Sequence, residues 1–364
     1  MARIKTRILI LSDTHGHSPE TTAARDALTA ESDFVVATTG YRAPLPAADV
    51  ALHCGDLTTH STPSELRRTL DMLRRLRAPL KVVIPGNHDR LLDAAFWSHD
   101  TGAGYKDPEY RTEALEMIEE AKEDGVVYLG GESAHELLLP NGALLRLLAS
   151  PWTPAFGVWG FQYEPADGHA FFSGPLPRGG VVDVVMTHGP PRGVLDLAGF
   201  SLPQYGYAPE HAGCPELRAA VARVRPRVHC FGHIHEAWGA HLVRWKKKKS
   251  TTKPDDINGR QGQETEEEGG FAAERSIVKL SEVKPMTWLD PPATEAQIAQ
   301  LLDWSAQMGV RVDWEEEVKP LDVDGERDGE HTLFVNAAIQ GYRQEPSQLP
   351  FIVDMELDEA PSNT

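Results

Sequence analysis

The sequence predicts an α/β fold. Short β-branched or leucine-rich runs stop abruptly at polar residues, helical periodicity fills the stretches between them, and the chemically able side chains collect at the polar ends of the runs. The runs cover 7–11, 49–53, 80–84, 144–149, 181–187 and 227–231, each short enough to be a buried strand. After them come Ser12-Asp13-Thr14-His15-Gly16, Cys54-Gly55-Asp56, Gly86-Asn87-His88-Asp89, His188-Gly189-Pro190-Pro191 and Gly232-His233-Ile234-His235. Ligands of open α/β sheets bind beyond the carboxyl ends of the strands, so these segments form the candidate site.

The clearest helix opens at Thr62, with Pro63 in its first turn and Glu65 three residues on, a capping-box pattern. Leu66, Leu70, Leu73 and Leu76 line one face while Arg67, Arg68, Arg74 and Arg75 lie largely elsewhere, as in a helix packed on a sheet. Residues 109–123, stopped by Gly125, and 214–224 read as further helices. Residues 332–338 and 349–357 read as two late strands that rejoin the sheet.

Between them the composition shifts. Residues 245–330 open with Lys246–Lys249, pass through an acidic stretch at 264–270 and end in another at 322–330, with apolar periodicity only around 294–308. The expectation is a single domain of residues 1–244 and 331–358, interrupted by a charged, partly disordered insertion with one amphipathic helix and followed by a polar tail at 359–364. The lysine run reads as a solvated loop, a nuclear address being the weaker alternative.

Composition narrows the function classes. The 364 residues, 41% hydrophobic and 25% charged, have ordinary globular proportions, which speaks against wholesale disorder or coiled coil. Lys plus Arg number 36 against 54 Asp plus Glu, a net charge of −18 that repels polyanions and disfavours long nucleic acid as a partner. The three cysteines, Cys54, Cys214 and Cys230, cannot make a disulfide framework and suit a reducing compartment, so the cytosol is expected. The apolar run that ends at Ser12 is too short for a signal sequence, and no stretch approaches the ~18 apolar residues of a membrane span.

The polar strand ends read as metal ligands. Asp13 and His15 alternate around Thr14, so an extended backbone would project both to one side. Asp56 follows a glycine and its two oxygens suit a bridge between two cations. Asn87 offers an amide oxygen, and His188, His233 and His235 offer imidazole nitrogens. Asp13, His15, Asp56 and His235 suffice for one ion, and Asp56, Asn87, His188 and His233 for a second, each leaving a position open as two-metal hydrolysis requires. The mixed N/O set suits Mn, Fe, Zn or Ni better than Ca. Gly16, Gly55, Gly86, Gly189 and Gly232 allow the close backbone approach that such a convergence needs. His53, His99, His135, His169, His211 and His229 are given no role.

Asp13-x-His15, Gly55-Asp56, Gly86-Asn87-His88-Asp89, the His188 segment and Gly232-His233-x-His235 together resemble the five signature blocks of the calcineurin-like metallophosphoesterases. Thr187-His188-Gly189-Pro190-Pro191-Arg192-Gly193, Gly232-His233-Ile234-His235-Glu236 and Phe334-Val335-Asn336-Ala337 are similar to the metallophosphoesterase-domain branch with the adult-brain protein 239 relatives. The resemblance spans 7–243 and 331–357. It implies two mixed β-sheets packed face to face with helices outside, a four-layer αββα sandwich, and it assigns the same seven ligands. It makes His88 the general acid, a role that suits an imidazole held beside a ligand. Asp89 would either orient or charge-stabilise His88, or cap a helix starting at Arg90.

The expected activity is hydrolysis of a small phosphodiester such as a cyclic nucleotide. A metal-bridging hydroxide would attack phosphorus in line and His88 would protonate the leaving oxygen, with two divalent cations, Mn first and Fe, Zn, Ni or Mg as alternatives. Two other classes stay open: a superfamily nuclease acting on DNA, disfavoured by the charge and by the lack of a basic-aromatic stripe, and a non-catalytic, metal-stabilised scaffold. No feature of the sequence names a protein partner.

Overall fold

Alternation in the first strand sets the architecture. In β1 (Arg3–Leu11), Ile8 and Ile10 join one apolar cluster and Leu9 and Leu11 another, and all four are fully buried. A strand buried on both faces needs a layer on each side. The computed structural model describes residues 2–19, 41–98, 108–199, 206–247, 270–280, 294–321, 330–341 and 344–361.

The remaining elements of the main sheet and its helices are β2 (Val50–His53), α1 (Pro63–Arg74), β3 (Leu80–Val83), α2 (Pro108–Glu120), β4 (Val126–Tyr128), β5 (Ser133–Leu138), β6 (Ala143–Ser150), β7 (Val184–Thr187), α3 (Pro215–Val224), β8 (Val228–Phe231), β9 (Gly239–Trp245), β10 (Phe271–Lys279), α4 (Glu295–Ala306), β11 (Val310–Asp313), β12 (His331–Asn336) and β13 (Phe351–Glu359). The hydrogen-bonded order is β10-β9-β12-β8-β7-β6-β13-β1-β2-β3-β4, with β11 beside β13 and β5 beside β6. The path has two halves. They meet where β6 pairs with β13 through only Asp358–Leu144 and Glu359–Ala143.

Both halves are mixed: β1, β2, β3 and β4 run parallel while β13 lies antiparallel to β1, and β6, β7, β8 and β12 run parallel while β9 lies antiparallel to β12. Ile8, Leu52 and Val82 of one half share a single core with Leu147, Val184 and Val335 of the other, so the halves face each other. On the outer face of the first half, Leu66, Leu70 and Leu73 of α1 cover Leu9 and Leu11. On the second, Leu217 and Val221 of α3 cover Val185 and Phe231. This is the four-layer α/β sandwich that the resemblance implied, with the two sheets joined at one corner.

The capping box of α1 forms as its sequence predicts. Thr62 accepts from Glu65 N while the Glu65 carboxylate accepts from Thr62 N. Such a cap contributes about 1 kcal/mol, whereas each buried leucine contributes ~1.5–3 kcal/mol, so sheet packing rather than capping holds the helix in place.

The segment 245–330 departs from expectation. Its amphipathic helix is α4, but the segment also supplies β10, paired along β9, and β11, paired in parallel with β13. Val278, Leu280, Leu301, Val310 and Val312 are all buried in the inter-sheet core. The described part is therefore built into the sandwich and is not a solvated excursion with one helix. Residues 248–269, 281–293 and 322–329 of the segment, including Lys248 and Lys249 of the lysine run, lie outside the described residues, as do 362–364 of the polar tail.

Candidate metal centre

The carboxyl ends of β1, β2, β7 and β8, with the loop after β3, bring all seven predicted ligands together at one edge of the sandwich. The backbone reason differs from the expected one. Asp13 and His15 are not in an extended segment: their φ angles are 52° and 48°, and Asp56 and His233 follow suit at 53° and 68°. These left-handed turns aim the backbone back into the site. Asp13 N bonds the Gly55 carbonyl, His15 N bonds the Asp56 carbonyl, and His233 N donates to both carboxylate oxygens of Asp13 at 3.1 and 3.0 Å. Glycine is required at two of the close approaches: a Cβ at Gly232 would lie 1.9 Å from the Asp13 carboxylate, and one at Gly86 would lie 2.3 Å from that of Asp56.

Asp13, His15, Asp56 and His235 place one ligand atom each within 4.8 Å of one another. His235 Nε2 is 3.2 Å from Asp13 Oδ1, and His15 Nε2 is 3.6 Å from Asp56 Oδ2. The other carboxylate oxygen of Asp56 faces the second set, 3.4 Å from His188 Nε2. That nitrogen lies 2.9 Å from Asn87 Oδ1, and the His188 and His233 rings stand 4.9 Å apart.

The donor chemistry fits a divalent cation. His15 Nδ1 lies 3.0 Å from the Thr58 carbonyl, so it carries the proton, and Nε2 turns its lone pair inward, where it is buried without a hydrogen-bond partner among the described residues. Burial pushes the His15 imidazole down to about 4 against the pull of Asp56 and Asp13, and burial together with His188 pushes His233 down to about 3, so both rings are neutral near pH 7, the ligating form. Burial works against ionised carboxylates, yet His235 and His188 hold Asp13 at about 2, and His188, His88 and His15 hold Asp56 well below the usual carboxylate range. Two buried anions, with the neutral rings of His15 and His233 beside them, form a pocket that attracts a cation.

The calcineurin-like phosphoesterase family model matches residues 6–237, more than half of the sequence. The chain belongs to the calcineurin-like phosphoesterase family. It is 32% identical over 206 residues to human metallophosphoesterase domain-containing protein 1, covering 54% of this chain and 56% of that protein. It is also 31% identical over 241 residues to a probable rhamnogalacturonate lyase C of Emericella nidulans, covering 66% of this chain and 18% of that one. The chain thus spans from about a fifth to about half of the length of these relatives. Among solved structures, a purple acid phosphatase from yellow lupin seeds aligns with 68% of this chain and 40% of its own at 13% identity and a TM-score of 0.35.

His88 of this calcineurin-like phosphoesterase stands beside the ligand cluster and not within it. Its backbone N donates to Asp56 Oδ1 at 2.9 Å, its Nδ1 lies 2.7 Å from the Thr59 carbonyl, and its ring meets that of His15 edge-on at 4.9 Å. Among the described residues the Asp89 carboxylate bonds neither His88 nor the turn that follows it. Its carboxylate accepts from Leu57 N, Thr58 N, Thr58 Oγ1 and Gly86 N, tying the Asp56 loop to the Asn87 loop. It makes no side-chain bond to the 3-10 turn Arg90–Leu92 that follows it, and the short helix after that turn is capped by Asp93. Burial and the Asp56 charge push Asp89 up to about 6 in spite of its four donors.

Sequence reasoning missed the C-terminal supports of this family site. Asn336 Nδ2 donates to the Ile234 carbonyl at 2.8 Å, Gln348 Nε2 donates to the His235 carbonyl at 3.0 Å, and Gln340 N donates to the Asp13 carbonyl at 3.1 Å. The segment after β12 also bonds both halves of the sandwich, with Ala337 N on Phe231 and Ile339 N on Ser12. Asn336 stood in the Phe334–Ala337 similarity, the one signal that pointed to it.

Proposed function

We propose that this chain is a binuclear metal-dependent phosphoric ester hydrolase acting on small phosphodiesters such as cyclic nucleotides. The observation that carries the reading is the set Asp13, His15, Asp56 and His235, four ligand atoms within 4.8 Å and one of them a buried imidazole nitrogen without a hydrogen-bond partner among the described residues. In this reading Asp56, Asn87, His188 and His233 hold a second ion, Asp56 being common to both. Mn is the first candidate, with Fe, Zn, Ni and Mg behind it, because the donors are nitrogen and oxygen without sulfur. Two such cations supply Lewis acidity, lowering the pKa of a bound water and neutralising charge that grows on the phosphoryl oxygens.

The protein's own groups do the rest. The bond from His88 Nδ1 to Thr59 leaves Nε2 as the nitrogen able to give a proton to the departing alkoxide as the P–O bond breaks. Asp89 holds the loops that carry Asp56 and His88 at fixed separation. A charge of −18 favours a small substrate over a long polyanion, and the cytosol is proposed on three free, buried cysteines. Metal analysis of the purified protein, followed by a panel of mono- and diesters with Mn, Fe, Zn, Ni and Mg, tests the reading. Two ions per chain and turnover of small diesters are expected; fully metallated protein without turnover on any ester would overturn it.

A further inference from the structure

We propose that Trp159 is a positioning residue that fixes the imidazole of His88, an inference resting on the reading of His88 as proton donor. Trp159 lies outside the five blocks, in the connection between the short strands Thr153–Pro154 and Gln162–Tyr163. Its ring sits 4.2 Å from that of His88 at an interplanar angle of 35°. The loop reaches His88 through bonds to that residue's own neighbours. Gly160 N donates to the Asn87 carbonyl at 2.9 Å, Phe161 N donates to Asp93 Oδ2 at 2.7 Å, and the Arg90 guanidinium lies 5.3 Å from the Trp159 ring. A Cβ at Gly160 would come within 3.2 Å of Arg90 Cα, a tight contact that shows how closely the loop approaches the His88 segment.

The His88 ring is thereby fixed on three sides. Nδ1 is held by Thr59, one face lies against Trp159, and His15 stands edge-on to it. Rotation about the Cβ–Cγ bond would break the Thr59 bond and slide the ring off the indole. The Thr59 bond alone resists a flip but tolerates tilting; the indole, inclined at 35° and 4.2 Å away, limits the tilt, and with it the direction of Nε2.

The test uses metal-loaded protein carrying Trp159→Leu or Trp159→Phe, each alone and combined with His88→Ala, with metal content measured for every variant. For esters with poor leaving groups, Trp159→Leu should lower kcat roughly 3- to 10-fold, the scale of one aromatic stacking contact, with KM little changed. Activated esters should be spared, Trp159→Phe should restore most of the rate, and in the His88→Ala background Trp159→Leu should cost nothing further. Equal loss on poor and activated esters, or an additive loss in the double variant, would overturn the proposal. If Trp159→Leu does not fold, the same cycle with Trp159→Phe decides it, a milder loss that vanishes beside His88→Ala being the supporting result. A His88→Ala variant that slows all esters alike would overturn the proton-donor reading instead, and the additivity measurement would still decide whether Trp159 acts through His88.

Discussion

The Nε2 of His188 lies 2.9 Å from Oδ1 of Asn87, while Nδ1 of the same ring lies 2.9 Å from the carbonyl oxygen of Cys54. An imidazole that faces two acceptors must carry two protons. Its surroundings agree: burial opposes the charge, but Asp56 and then Asp13 outweigh it and hold His188 up at about 9. A cation bound between Asn87 and His188 would take the place of the Nε2 proton.

Loading the His188 side of the centre should therefore release about one proton per ion at neutral pH, and affinity should rise with pH until about 9 and then level off. Calorimetry in buffers of different ionisation enthalpy measures the release, and His188→Ala should abolish it. The linkage has a second face in metal-stripped protein. A folded pKa raised above the ordinary 6.5 gives stability that is whole below that value and lost as pH climbs through about 9, visible as a falling urea midpoint.

Asp56 turns one oxygen to His15 and the other to His188. Asp56→Asn should therefore empty both positions together and cost more than the roughly 10–100-fold typical of losing an outer-shell partner. Elemental analysis showing two tightly held ions in that variant would contradict the shared-ligand assignment.

His88→Ala should keep its metals, because no ligand atom is removed, and lose roughly 10²–10⁴-fold on substrates with poor leaving groups. A plot of log kcat against leaving-group pKa should be steeper for the variant than for the parent.

Asn336 is fully buried, and its amide both donates to the Ile234 carbonyl and accepts from Ala338 N. Asn336→Leu strands both groups, so a loss of about 1–3 kcal/mol is expected, readable by denaturant unfolding, together with weaker metal retention because Ile234 sits between two ligands. Asn336→Asp, which keeps the acceptor but turns a second oxygen onto the Ile234 carbonyl in a fully buried site, should be at least as damaging.

Bridging the ends of 245–330 with a short linker should leave little folded protein. Val278, Leu280, Leu301, Val310 and Val312 would be lost from the inter-sheet core, at ~1.5–3 kcal/mol for each large side chain, against a total stability of about 5–15 kcal/mol for an ordinary domain. A soluble, cooperatively melting deletion variant would show that this packing is dispensable.

The five blocks were legible because their chemistry is contiguous with strand ends: Asp13 and His15 follow β1 directly, and Gly232 to His235 follow β8. The C-terminal strands were legible for the same reason of local pattern. What escaped was long-range. Trp159 lies 71 residues from His88, and Asn336 lies 102 from Ile234, so no local spacing marks either pair. The misjudged segment did carry a signal in Val310-Arg311-Val312-Asp313, where period-2 alternation matches the observed burial of both valines, but four residues amid charge are too few to separate a strand from a loop. Of the two roles open to Asp89 the cap does not form: an aspartate before a helical stretch suits one, but only the folded chain shows its carboxylate engaged by the neighbouring loop.

Four of the seven ligand-type residues hold a left-handed backbone that L side chains resist by roughly 1–2 kcal/mol apiece. Glycine at any of them would relax that resistance, but at Asp13 or Asp56 it would also strand His233 N, His88 N and the His235 and His188 rings. Both carboxylates titrate below their ordinary range, so their ionised forms stabilise the fold at neutral pH and offset the backbone cost. A lineage released from any need for the chemistry would gain no stability by discarding the two aspartates, so an inactive cousin lacking them should melt no later than the working form stripped of its ions.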